Sequence, residues 1–240
     1  MSGGGEGDGG TGLPGGGPTP GAGPPPTGAA ATDGWIASEL AGELPGLALS
    51  SLTAPVAGLR TTPGLRRRLR TLSDRFGGAR AVLLRSEPVP AAYRAFYRQV
   101  GLDPDVDRPP GEAVVLDRLV HGGFASSGRV ADALLLAVVE TGVPVWALDD
   151  ERLDGPLGLR TAAAGERVGD GELADEAPDG QIVVADASRA LAVLFAAAAT
   201  SHACGPRTVR ARLYAVGVSG VPTIHVEEAL WTAAEALAEA

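Results

Sequence analysis

The chain has 240 residues, 45% of them hydrophobic but only 4% aromatic, and a net charge of −9 from 20 basic and 29 acidic side chains. That is enough apolar material for one sizeable domain with a core of Ala, Val and Leu, and too acidic a balance for a broad electrostatic grip on nucleic acid, which leaves only a local basic patch. One cysteine, Cys204, excludes an internal disulfide and a cysteine-rich zinc site; no run reaches the length of a membrane span, and the cytoplasm is the expected compartment.

Residues 1–30 contain 13 Gly and 6 Pro. Such a segment cannot bury enough apolar surface to offset the entropy of ordering it, so 1–33 reads as a disordered tail and 34–240 as a single domain. The N-terminus has neither a basic region nor an apolar stretch, so no signal peptide is expected. Asp33 is placed to cap a short helix carrying Trp35, Ile36 and Leu40, ended by Pro45-Gly46. Leu47 to Val56 reads as a strand. Thr62-Pro63 supplies an N-cap and a first-turn proline for a helix reaching Phe76. That helix carries Arg66, Arg67, Arg68, Arg70 and Arg75 beside Leu65, Leu69 and Leu72. The arginines read either as a solvated face or as an RNA-phosphate patch.

A short apolar run over 81–84 is a strand or a buried helix. Helices follow at Ala91–Val100, Gly111–Val120 and Val130–Thr141, then a strand at Val145–Leu148. In the first of these helices Phe96 and Val100 share a face, with Tyr93 and Tyr97 on a second stripe. Beyond Asp154 short segments alternate with Gly and Asp turns. They predict strands at Leu157–Thr161, Arg167–Val168, Gln181–Ala185, Ala190–Phe195 and Val209–Val216, before a last helix at 226–238. The class is α+β, a mixed or antiparallel β core with flanking helices.

Catalytic motifs are scarce. There is no phosphate-binding loop, no dinucleotide fingerprint and no HExxH. His121, His202 and His225 do not fall at metal-ligand spacing, so neither a metal nor a cofactor is expected. Gly217-Val218-Ser219-Gly220 reads as a turn, since it breaks the spacing of a nucleophile elbow. Cys204, two residues from His202, is either a nucleophilic pair with it or a bland residue beside a Gly-Pro turn.

Three blocks, in order, resemble one family. The first is YRAFYRQVGLDPDVDRPPGEAVVLDRLV, 93–120, through Arg94, Gly101, Asp103, Pro104, Arg108, Pro109, Glu112 and Ala113. The second is 130–154, through Gly142, Pro144, Ala147, Asp149 and Leu153. The third is LRTAAAGE, 159–166, with GQIVVAD, 180–186, through Arg160, Ala162, Gly165, Glu166 and the Val-Val-Ala-Asp strand. Together they resemble the B3/B4 domain, the editing module of the phenylalanyl-tRNA synthetase beta subunit, and its free-standing relatives. The resemblance covers about 35–220. It implies an α+β domain associated with tRNA, in which a second pocket removes wrongly attached amino acids.

The family's pocket residues do not carry over intact. A gapless alignment puts Leu135 at the pocket Asn position, and the chain contains no Asn at all. Trp146 stands at a His position. Ala199, Thr200, Ser201 and His202 stand at a Gly-Gly-Glu-His segment, so Ser201 replaces the recognition Glu and the His is retained. The resemblance thus implies a pocket of Leu135, Trp146, Thr200 and Ser201, with His202 as a general acid or base and Glu166 near by. Trp146 reads as a stacking platform or as core, His202 as acid/base or structural, and Glu166 as a hairpin-turn residue or an acid. Three functions stay open: a free-standing domain binding tRNA or another RNA, which is not a synthetase; a trans-acting hydrolase of misacylated tRNA; and a small-molecule or partner-binding module. Oligomeric state is not assigned.

Overall fold

The computed structural model describes residues 30–77, 83–171 and 174–239. Residues 1–29 of the expected tail, and 81–82 of the apolar run, lie outside the described residues. In chain order the elements are β1 (Thr32–Asp33), β2 (Trp35–Ile36), α1 (Ser38–Glu43), β3 (Ala48–Pro55), α2 (Pro63–Arg75), α3 (Pro88–Gln99), α4 (Pro110–His121), α5 (Arg129–Thr141), β4 (Val145–Asp149), β5 (Gly158–Thr161), β6 (Arg167–Val168), β7 (Asp175–Glu176), β8 (Ile182–Ala185), β9 (Ala190–Val193), β10 (Arg210–Gly217) and α6 (Thr223–Ala238). The protein is α+β. One sheet, in the order β1-β3-β10-β4, is antiparallel throughout; the other, β2-β5-β8-β9-β6-β7, is mixed.

The long partners β3 and β10 are far apart in sequence, so the β core is not confined to the C-terminal half. Their middle residues, among them Leu49, Leu52, Leu213 and Tyr214, are buried. Helix α6 packs on β3 and β10 and against α5, with Val226, Leu230, Ala233 and Leu237 turned inward. Thr62 caps α2 by accepting the Leu65 N–H at 3.1 Å, and Leu65, Leu69 and Leu72 form its buried stripe. One apolar core runs from Leu40 to Leu237. A smaller cluster of Ala162, Val168, Ala177, Val183 and Ala190 lies on the second sheet.

Two local expectations change. The helix expected from Asp33 is replaced by β1 and β2, leaving only the six-residue α1. Here the chain steps from one sheet to the other. A Cβ on Gly34 would meet the Leu157 carbonyl oxygen at 2.5 Å and Leu49 Cδ2 at 2.7 Å, so only glycine passes the seam. Pairing with Ser50, Ser51, Gly158 and Leu159 then outweighs the local capping signal. Helix α3 starts three residues before the expected Ala91, because Pro88 sits in the first turn, where its missing N–H costs nothing.

The two sheets and α3 meet at Phe195. Its ring stacks on Tyr97 (centroids 5.3 Å apart), meets Tyr93 and Phe96 edge-on at 5.9 and 5.8 Å, and lies tilted 5.8 Å from Trp146. Trp146 in turn stacks on Tyr214 at 5.6 Å. Six of the chain's ten Phe, Trp and Tyr residues therefore share one cluster. The Tyr93 hydroxyl completes it by donating to the Val216 carbonyl at 2.8 Å. Phe195 is the one non-glycine residue with positive φ (63°) among the described residues, a strained conformation for a bulky side chain. Strand β9 accordingly ends at Val193, two residues before the expected strand end.

Phe195→Ala should lower the unfolding free energy by about 2–3 kcal/mol, below the ~3–5 kcal/mol of a fully buried Phe because Phe195 is half-buried. Urea unfolding followed by circular dichroism measures it; a loss under about 1 kcal/mol would remove Phe195 from its central place.

Candidate functional site

Charged motif residues of the first and third sequence blocks form structural ties. The Arg94 guanidinium is buried; it donates to the Pro104 carbonyl (3.2 Å), the Glu112 carboxylate (3.0 Å) and Asp105 (2.7 Å). Asp103 accepts the Asp105 N–H at 2.9 Å. The Gly-Leu-Asp-Pro turn is thereby clamped between α3 and α4. The Arg94 hydrogen bond holds the Asp105 carboxyl below the usual carboxylate range. In the third block Arg160 grips Glu166 with both terminal nitrogens, and Glu166 also accepts the Ala163 N–H at 2.9 Å. The Arg160 hydrogen bond holds the Glu166 carboxyl low, so Glu166 is an ion-paired turn residue between β5 and β6. Burial pushes the Asp186 carboxyl up. Hydrogen bonds from the Asp154, Ser188 and Arg189 N–H groups and the Ser188 hydroxyl outweigh it and leave the group below its ordinary value.

The segments expected to carry the pocket do converge. An open groove of about 460 Å3 lies between the N-terminal half of α5, the start of β4 and the stretch 197–204. Trp146 is its largest side chain, flanked by Leu59, Leu134, Ala198, Ala203 and Cys204. From α5 the groove takes Leu134; Leu135 is half-buried against the core and does not line it. One residue of displacement turns a helical side chain by about 100°, so an alignment without gaps finds the helix but not its face. In the sequence Cys204 stands out only for its nearness to His202; its place beside Trp146 is tertiary. Burial, with Asp149 second, pushes its thiol up to about 11, which removes the thiolate a nucleophile needs. Behind the groove the fully buried Asp132 accepts from Thr61 Oγ1 (2.5 Å), Ser126 Oγ (2.6 Å) and the Ser127 N–H (2.9 Å), holding the loop that enters α5.

Thr200, Ser201 and His202 lie between groove residues in sequence, yet Ser201 and His202 face the other way. Thr200 is exposed and His202 is 2% exposed. Ser201 Oγ accepts the Asp170 N–H at 2.9 Å and lies 2.9 Å from His202 Nδ1, while His202 Nε2 is 3.8 Å from Asp170. Gly169, at φ 81°, presses on them: a Cβ there would meet Ser201 Oγ at 2.6 Å and Ala199 Cβ at 2.4 Å. The Ser-His-Asp order has the look of a proton relay, but the hydroxyl is already committed and the imidazole covered. The three act as a latch between the 169–170 turn and β4, whose Asp149 N–H donates to the His202 carbonyl at 2.9 Å.

On α2, Arg66, Arg67 and Arg70 are exposed, whereas Arg68 is paired with Glu140 at 3.0 Å. Arg67, Thr71 and Arg75 follow one another at single-turn spacing along an open groove of about 570 Å3, which Glu140 and Glu239 also line. The structure therefore separates the Trp146 groove, the Ser201–His202 latch, the Glu166 turn and the α2 arginines. Among the described residues no cluster of His, Cys, Asp or Glu is placed to hold a metal ion, and no helix is long and apolar enough to cross a membrane. Neither protein-family models nor curated proteins give a match to this sequence.

Burial lowers the His202 pKa; Asp170 and Asp186 act against this, and Arg189 and Arg152 with it. The unfolded chain then takes up a proton near pH 6.5 that the folded chain refuses. Stability is complete above that value and falls as the pH drops toward the lowered folded value. Urea unfolding between pH 7.5 and about 5, above the carboxylate range, should show this decline in the wild type and a flatter profile in His202→Gln. Parallel profiles would contradict it.

Proposed function

We propose that this chain is a free-standing RNA-binding domain akin to the editing domain of the phenylalanyl-tRNA synthetase beta subunit, with tRNA as the first candidate partner and a pocket altered from hydrolysis to binding. The observation that carries this reading is the Trp146 groove. The three segments that the sequence resemblance assigns to an editing pocket surround it, and its lining offers a stacking surface instead of an acid or a base. A half-buried indole in an apolar groove suits an unstacked base or the aromatic end of an aminoacylated terminus.

Hydrolysis of an aminoacyl ester needs a group that activates water within hydrogen-bond reach of the scissile carbonyl. Among the described residues no carboxylate or imidazole lines the groove, and His202 is turned into the latch with Ser201 and Asp170. This favours binding over trans-editing. The exposed guanidinium groups of Arg66, Arg67 and Arg70 supply a local basic strip on an otherwise acidic protein. They fit a phosphate backbone better as a few steering contacts than as a broad grip.

Filter retention of labelled total tRNA tests the proposal. Retention should weaken with salt, and combined Arg66→Ala, Arg67→Ala and Arg70→Ala should reduce the slope of log affinity against log salt by about 0.7–0.9 for each phosphate no longer neutralised. Trp146→Ala should weaken binding and leave that slope unchanged. No salt-sensitive retention would end the RNA reading. On a panel of mischarged tRNAs the wild type should show no deacylation above buffer; turnover that His202→Ala abolishes would restore the hydrolase.

A further inference from the structure

We propose that a second cavity, separate from the Trp146 groove, binds a compact organic ammonium ion with an apolar body. The cavity holds about 280 Å3 and opens where the end of α1 and the end of α3 meet one end of the second sheet. That volume lies just below the ~300–1,000 Å3 of known ligand pockets, which limits the occupant to a small molecule. Its walls are apolar: Leu40, Leu44, Val100, Ile182, Leu194 and Phe195. Leu40 and Leu44 belong to the apolar core and Val100, Ile182, Leu194 and Phe195 pack against it, so the cavity is a cleft with an apolar floor at the edge of the core.

The polar groups define the chemistry. Glu43, Gln99, Thr161 and Gln181 line the same cavity, and Glu43 is the sole charged residue among its lining. Glu43, Gln99 and Gln181 are exposed on this lining, and a carboxylate and two amide oxygens there can accept N–H donors from a ligand in place of water. With no guanidinium in the lining, an anionic ligand meets no counter-charge. An ammonium group at Glu43 with its hydrocarbon against Leu40, Leu194 and Val100 satisfies both halves of the site.

Isothermal titration of the full chain with phenethylamine, 3-phenylpropanoate and 2-phenylethanol tests this, since the three share a body and differ in charge. Phenethylamine should bind, with the acid and the alcohol weaker by about threefold or more. Glu43→Gln should cost the amine about threefold and bring it level with the alcohol. Gln99→Trp, at an exposed position that leaves the core intact, should close the mouth and abolish binding while tRNA retention stays unchanged. The proposal is overturned if the amine gives no heat of binding, if the acid binds as well as the amine, or if the amine binds Gln99→Trp undiminished. Since the Trp146 groove is untouched by these variants, a failure here leaves the RNA reading standing, and the reverse holds too.

Discussion

Phe195 and the five aromatic rings joined around it hold the molecule together. In a chain that is 4% aromatic, most of the large rings are gathered at the point where α3, β4, β10 and the end of β9 converge. The remaining core is mostly Ala, Val and Leu, and it joins the two sheets through side chains such as Leu49, Leu157 and Leu159. The aromatic cluster adds a second link between them, and the strained backbone at Phe195 is tolerated because four ring contacts fix the side chain. Trp146 belongs both to this cluster and to the open groove, so the surface proposed to meet a base is braced from behind by Tyr214 and Phe195. A rigid aromatic platform loses little conformational entropy on binding.

The polar motifs act at a different level. Arg94 with Glu112, Arg160 with Glu166, and Asp186 with the Asp154 and Arg189 amides each tie a turn to a neighbouring element. Such buried charges are costly to leave unpaired, which is why the Arg and its carboxylate stand together in the first and third blocks. They make the sequence look like a particular fold without performing chemistry. Among the described residues the groove holds no carboxylate or imidazole: Trp146, Leu134 and Cys204 line it with Ser127 and Arg129, and the His and Ser beside it are drawn into a latch.

Much of the fold was legible because its signals are local. Thr62-Pro63 marked the start of α2, Gly142 the end of α5, and the alternation after Asp154 the short strands. What escaped depends on distant partners. Nothing near Asp33 announces that residues 32–36 will join two sheets through Gly34. The proline-led start of α3 at Pro88 fits either a turn or a first helical turn. For the site, the resemblance named α5, Trp146 and the 199–202 stretch, and these segments meet beside one groove. It could not tell Leu134 from Leu135, nor foresee that the tight Gly169 turn would capture Ser201 and His202. Burial separates Cys204 from chemistry, and burial is a property of the folded chain alone.

The central claim is that RNA lies on the Trp146 groove and the exposed arginines of α2. Ultraviolet crosslinking of tRNA to the intact protein, with the crosslinked peptides identified by mass spectrometry, tests it most directly. Crosslinks should fall on the peptide containing Trp146, on the stretch that includes Cys204, and on α2. Crosslinks confined to other surfaces, or none at concentrations that saturate binding, would contradict the account.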